Sequence, residues 1–288
     1  MDQDLRVFRD KESGIQEVTL ELGLLFDKEE TKEFAKRLDL FRRSTESDNS
    51  TADVCHQIEK GCLVYETENL RPILRKEDRT PILFLLGNPA SHSVKQRMFF
   101  SYERNKKEHR FWRVLNHTKV FPFEENIADL TQRNNRRKEI LLRVDYDPPF
   151  QINLEVFYSM PSPATGDWSG VAGLKRLFGA KAFEKISVCE KKRIEDFIQE
   201  HLHPDGLVVA FQKDAYSQLK LDENPVYNLK QAIAGNLRNR CQCDQSIALY
   251  CLAPTRLMGA NSRILNELRT KHEYGSTVKQ TFQRLHGK

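Results

Sequence analysis

The stretch ILFLLGNPASHSVKQRMFF, Ile82 to Phe100, decides how this chain reads. Its apolar run stops abruptly at Gly87-Asn88-Pro89, so a buried strand delivers one carboxamide to the rim of a sheet. Open α/β sheets bind ligands at the carboxyl ends of their strands. The pair Phe99-Phe100 follows within a dozen residues of Asn88. A flat apolar ring beside a fixed amide suits a planar, hydrogen-bonding heterocycle such as a nucleobase. Gly-Asn and Asn-Pro are also ordinary turn formers, and a Phe at position 100 also serves as a core aromatic.

Three further apolar runs follow: INLEVFYSM (Ile152–Met160), GLVVAF (Gly206–Phe211) and IALYCLA (Ile247–Ala253). Nearly continuous hydrophobicity suits strands covered on both faces, as in a parallel sheet. Helical patterns fall at Lys191–Leu202, Lys213–Lys220 and Asn261–His272. Strand, crossover helix and strand in succession predict βαβ units. The expected fold is therefore α/β: a three-layer sandwich with a central four-stranded parallel sheet flanked by helices, spanning 69–288. Residues 1–68 read as a charged, partly helical extension, helical from about Lys28, with the polar run Ser44–Thr51 as a linker. Parallel strands would gather the loops at Gly87–Pro89, Ser159–Gly170, Gln212-Lys213 and Ala253–Arg263 on one edge.

Composition narrows the class. The 288 residues are 39% hydrophobic and 30% charged, enough apolar content for a sizeable core. No apolar run approaches the ~18 residues of a membrane span, and the charged start MDQDLRVFRDKE is unlike a secretory signal. These features predict a cytoplasmic or nuclear protein with no membrane partner, and a monomer is expected. The net charge of +5 permits nucleic-acid binding without demonstrating it. Basic residues crowd after Asn88 (Lys95, Arg97, Arg104, Lys106, Lys107, Arg110, Arg113) and again at Arg133, Arg136, Arg137 and Lys138. Each cluster reads either as a phosphate contact or as solvated surface. The six cysteines include Cys55-x6-Cys62 and Cys241-x-Cys243, spacings that fit no common zinc template. An iron–sulfur site on these four is conceivable, but no metal is expected. Glycine-rich phosphate loops are absent, so no nucleotide cofactor is expected either.

At these residues the chain resembles the uracil-DNA glycosylase superfamily, most closely its mismatch-specific branch. That branch carries a G-I-N-P-G motif after its first strand, a Phe twelve residues beyond the Asn, and then N-R-F-W. Here Asn88 plus twelve is Phe100, and HRFW at His109–Trp112 follows after a few extra residues. The family's last motif, N/H-P-S-x-L, is matched in its Pro, hydroxyl and Leu by Ala253-Pro254-Thr255-Arg256-Leu257. MPSPATG, Met160 to Gly166, mimics that last motif but follows the second strand, so it belongs to a loop that lines the base pocket in the family. The resemblance covers roughly Thr80 to His272.

The resemblance implies a monofunctional enzyme that hydrolyses the N-glycosidic bond of uracil or a related damaged base in DNA, by base flipping and water attack. Asn88 would position the water, since an amide orients better than it abstracts a proton. Phe100 would stack on the base, with Gly87, Pro89, Ala90, Ser159 and Met160 around it. Ser91, Ser93, Lys95, Arg97, Thr255, Arg256 and Arg263 would contact DNA. Leu257 would wedge into the space of the flipped nucleotide, or simply pack on the final helix. Ala253 stands where some branches carry a catalytic His, and His92 or His109 are the substitutes at hand. Two rivals stay open: a glycosylase-like module that binds DNA without catalysis, and another α/β hydrolase acting through Ser162 or Asp167.

Overall fold

A computed structural model describes residues 5–273, apart from 13, 45–49, 59, 104–105, 124–125, 148, 203 and 222–224. The first half of the chain forms β1 (Arg6–Glu12), β2 (Ile15–Glu21), α1 (Lys28–Arg42), α2 (Ser50–Val54), β3 (Cys55–Ile58), β4 (Cys62–Leu70), β5 (Thr80–Leu86), α3 (Ser91–Lys95), α4 (Arg110–His117) and α5 (Leu130–Arg143). Then come β6 (Phe150–Val156), α6 (Gly170–Phe178), α7 (Ala180–His201), β7 (Leu207–Ala210), α8 (Lys213–Leu219), α9 (Leu229–Ala234), β8 (Arg238–Arg240) and β9 (Ala248–Cys251). A final helix, α10, covers 262–273. The chain is a mixed α/β protein.

Two compact units emerge. The first joins Met1–Leu70, Leu86–Ser101 and Glu155–Ile194; the second joins Arg71–Leu85, Tyr102–Leu154 and Glu195–Lys288. In the first, β2 pairs antiparallel with both β1 and β4, and β3 also pairs with β4. This corrects the expectation of a charged extension before residue 69. RVFRDKE is an edge strand, and its charged side chains are mostly exposed. Charges on an edge discourage pairing with other chains, so the pattern that reads as an extension is that of a protected strand. The helix expected from Lys28 does form. Asp27 and Glu30 close a capping box at its start, which satisfies backbone donors that would otherwise be orphaned. Its buried stripe of Phe34, Leu38 and Phe41 has helical spacing. Phe34 stacks between Phe26 at 4.9 Å and Phe178 at 5.4 Å.

In the second unit the strand order is β6-β5-β7-β9-β8. All four expected strands form, and β5, β7 and β9 are parallel in register Ile82–Leu207–Ala248. The sheet is nonetheless mixed, because β8 joins β9 antiparallel. RNR is too short and too charged to announce itself as a strand. HRFW lies in the core of this unit: Phe111 and Trp112 are buried, and Phe111 meets Phe84 and Phe211 edge-on at 6.1 and 6.0 Å. His109 Nδ1 accepts from the Phe111 N–H and caps α4.

The second basic cluster divides. Arg137 is buried between Trp112 and Phe123, each ring 4.8 Å from its guanidinium, and pairs with Glu108 and with Asn134 at 2.9 Å. A planar, weakly hydrated cation tolerates such a site where a lysine would not. Removing the ring at the centre of the first unit's aromatic stack should cost about 3–5 kcal/mol. Phe34→Ala is therefore expected to lower the unfolding free energy by that amount in urea titration, with the slope unchanged.

Candidate active site

The loops after β5 and β6 zip together within the first unit. Leu86 and Gly87 carbonyls accept from the Phe157 and Tyr158 N–H groups at 2.9 and 2.8 Å. Further on, Ser162 N–H donates to Pro89 O at 3.0 Å and Ser91 N–H to Ser162 O at 2.9 Å. Asn88 sits inside this ladder. Its Nδ2 donates to Ser162 Oγ at 2.9 Å, Pro89 O at 3.2 Å and Met160 O at 3.4 Å. Carbonyl oxygens only accept, so the amide's orientation is fixed by its partners. Ser162 Oγ is held in turn by the Gly170 N–H at 2.8 Å, where α6 begins. Among the described residues Asn88 Oδ1 accepts nothing, and the side chain is half-buried. What remains is a pre-oriented acceptor, suited to aiming a water.

Behind the β6 loop lies a buried ionic cluster. Glu190 accepts from Ser159 N–H at 2.5 Å and from Ser159 Oγ at 2.6 Å, and it pairs with Arg6. Arg193 spans Glu190 at 2.8 Å and Glu155 at 2.9 Å, and donates to the carbonyls of Val156 and Phe157. Arg6 also reaches Ser159 Oγ at 2.9 Å, and Tyr65 bonds the same hydroxyl at 2.8 Å. Burial alone would raise the Glu190 carboxyl, but Arg6, Arg193 and the Ser159 donors outweigh it and hold the group below its ordinary value of 4.5. Burial likewise pushes the Tyr65 hydroxyl up. No local sequence pattern signals this cluster, because its members come from β1, β4, β6 and α7.

Several expected site residues serve other purposes. Ser159 is fully buried and its hydroxyl is committed to Glu190, Arg6 and Tyr65, so it anchors the loop instead of reading a base. Ser91 and Ser93 are also buried, with Ser91 Oγ bonded to Thr51 and Ser93 Oγ to Ser101, which removes them as DNA contacts. Lys95 pairs with Asp53 at 2.6 Å. Arg97 pairs with Glu66 at 2.6 Å and Glu12 at 3.0 Å. Neither cation is left for a phosphate without breaking those pairs. The sequence could not show this, since the carboxylates come from β1, α2 and β4, within the residues that had read as an extension.

Phe100 is half-buried and takes a left-handed backbone, φ 49°. Arg97 does the same at φ 58°. Such conformations cost roughly 1–3 kcal/mol each for bulky residues and persist only where surrounding bonds over-determine them. Here Ser93 supplies those bonds: its carbonyl takes the Met98 N–H at 3.2 Å and its Oγ the Ser101 N–H at 3.3 Å. Met160 is buried and contributes its carbonyl to Asn88.

The last motif belongs to the second unit. Thr255 and Arg256 open a 3₁₀ stretch, Thr255–Asn261, in which Leu257 departs from helical geometry and is 38% exposed. Leu257 therefore does not pack on the final helix as core. Arg256 is exposed, and its carbonyl accepts from Arg110 at 2.7 Å. Arg263 pairs with Glu267 and donates to Ala234 O at 2.8 Å, so its charge is already partnered. Ala253 is fully buried and its backbone is held on both sides by Asn261, at 3.0 Å to its N–H and 2.9 Å to its carbonyl. Asn261 was not legible as a site residue; only the closed loop reveals its role.

Burial pushes the Cys55 and Cys251 thiols up to about 12. Among the described residues, no group of three or more His, Cys, Asp or Glu side chains is placed to hold a metal ion. Ser162 is 2% exposed with its Oγ occupied, which leaves no room for it as a nucleophile. No protein-family model matches this chain, and no curated protein matches it.

A carboxyl held low in the folded chain stabilises it fully above the unfolded value and loses that contribution as pH falls. Stability should therefore decline as the pH drops below about 5, and Glu190→Gln should flatten that decline while lowering stability at neutral pH. Chemical denaturation at a series of pH values measures both; an unchanged slope in the variant would remove Glu190 as the titrating group.

Proposed function

We propose that the chain is a monofunctional DNA glycosylase that hydrolyses the N-glycosidic bond of uracil or a related damaged base. The observation that carries this reading is the Asn88 carboxamide: fixed through Nδ2 to Ser162, Met160 and Pro89, with Oδ1 left to accept. It occupies the loop after a buried strand, in the sequence setting GNP that resembles the glycosylase motif. A flipped base is read by stacking and by bonds to its edge. Phe100, held half-exposed in a strained backbone, is the stacking candidate. A water bonded to Oδ1 would be aimed at the anomeric carbon, with the amide orienting it and the proton leaving to solvent.

Leu257 would serve as the wedge, since an inserted apolar side chain offsets an unstacking cost of a few kcal/mol. No helix among the described residues is long and apolar enough to cross a membrane. DNA as partner and a monomeric state belong to this proposal, and the reading calls for no cofactor.

One observation favours a second reading, a module that binds DNA without cleaving the glycosidic bond. Ala253, clamped and sealed by Asn261, offers no second catalytic side chain at the position where some branches place His. The hydrolase alternative loses support with Ser162 buried and Asp167 some 90% exposed, beside only Arg176 at 3.9 Å.

Incubation with oligonucleotides carrying U·G, U·A, hypoxanthine or unpaired U, followed by hot alkali, tests these readings. The wild-type chain should leave an alkali-labile site, and Asn88→Ala should reduce base release by a hundredfold or more while DNA affinity stays within about threefold, as for loss of one preorganised polar group. Base release by neither protein, with binding retained, would select the non-catalytic module. Leu257→Ala should slow release from duplex by roughly tenfold and leave single strands nearly unaffected; equal loss on both would refute the wedge.

A further inference from the structure

A cleft lies within the second unit, at the amino ends of β7 and β9, the opposite edge from the loops that follow those strands. It is an open cleft of about 650 Å³, within the size range of small-molecule sites. Strand register builds its floor. Leu207, Ala248 and Arg240 form one row across β7, β9 and β8, and Tyr250 and Arg238 form the next. Residues two apart on a strand share a face, so Arg238 and Arg240 project together. Ala248 stands between Leu207 and Arg240 in that row, and its methyl group is the smallest side chain of the three. Lys271 and His272 of α10 line the same cavity.

The charge balance is one-sided. Among the described lining residues, Asp205 is the one carboxylate. Arg240 bonds only the carbonyl of Ser246, at 2.9 Å, and Lys271 has no carboxylate within ion-pair distance among the described residues. Arg238 lies over the Tyr250 ring at 5.7 Å, pairs with Glu267 at 3.8 Å and donates to Gly235 O at 2.9 Å. His272 is held by Thr80 Oγ1 at 3.3 Å and rests against Phe150. Burial and the neighbouring Lys271 keep its pKa low, so it stays a neutral hydrogen-bonding group.

We propose that this cavity binds a phosphate-bearing small molecule, with Arg240 and Lys271 on the phosphate and Tyr250, Leu207 and Ala248 against its apolar part. Guanidinium forks match phosphate geometry and form the stronger, charge-assisted bonds. The site is independent of the Asn88 loop and of the glycosylase reading.

Calorimetric titration of the full chain with inorganic phosphate, ribose phosphate, adenosine monophosphate and adenosine tests it. The phosphate-bearing probes should saturate one site and compete with one another, their relative affinities showing how much of the ligand beyond phosphate is read. Adenosine should bind at least about tenfold more weakly than its monophosphate. Arg240→Gln with Lys271→Gln, both at exposed positions, should weaken phosphate probes by about tenfold or more and leave the melting temperature unchanged. Ala248→Leu, which fills the floor, should exclude ribose phosphate and adenosine monophosphate and spare inorganic phosphate. No saturable binding of any phosphate probe, binding unaltered by the double substitution, or binding confined to an oligonucleotide would each overturn the proposal.

Discussion

The buried pairing of Arg6 and Arg193 with Glu190 and Glu155 is the constraint on which the first unit depends. Two cations and two carboxylates share one buried site, and Arg6, Glu190 and Arg193 are each also bonded to backbone or to Ser159. Such a cluster adds little net stability over apolar packing, but losing one member strands a charge at a cost of about 3–5 kcal/mol. Its value here is geometric. It fixes Val156, Phe157 and Ser159, the residues that lead into Met160 and Ser162. Those two in turn hold the Asn88 amide. The first strand, through Arg6, thus helps set the position of a side chain more than eighty residues later.

That arrangement changes how the positive charge of the chain is understood. Lys95, Arg97, Arg137 and Arg263 all looked available for phosphate in the sequence, and all four are engaged with carboxylates. Arg137 is even part of an aromatic core. Among the described residues, the cations without carboxylate partners include Arg240 and Lys271, which drew no notice in the sequence because they stand far apart in it. Net charge is a property of composition; a usable field depends on which charges are already neutralised by neighbours.

The legible part of the candidate site was the strand end. An apolar run broken by Gly-Asn-Pro places its amide at a sheet rim whatever the rest of the chain does, and Asn88 is found there. The surrounding partners were hidden. Ser159, Ser91 and Ser93 carry residue types common in binding loops, yet each is buried and satisfied by a hydroxyl, guanidinium or carboxylate from elsewhere in the chain. Whether a serine faces substrate or core is decided by packing, and one-dimensional spacing does not encode it.

By itself the sequence determined the four apolar strands, the helix from Lys28 and the helices that follow β7 and β9, because hydrophobic period and capping chemistry act over a few residues. It did not determine the antiparallel strands of the first seventy residues, whose charged edge strand lacks a local apolar signal, nor the antiparallel partner of β9. Ion pairing across Arg6, Glu190 and Arg193, the closure of the Ala253 loop by Asn261, and the orientation of the Asn88 amide were decided only by tertiary structure. Each depends on distances between residues remote in the chain, and in a buried, low-dielectric setting those distances govern whether a polar group is satisfied or free to act.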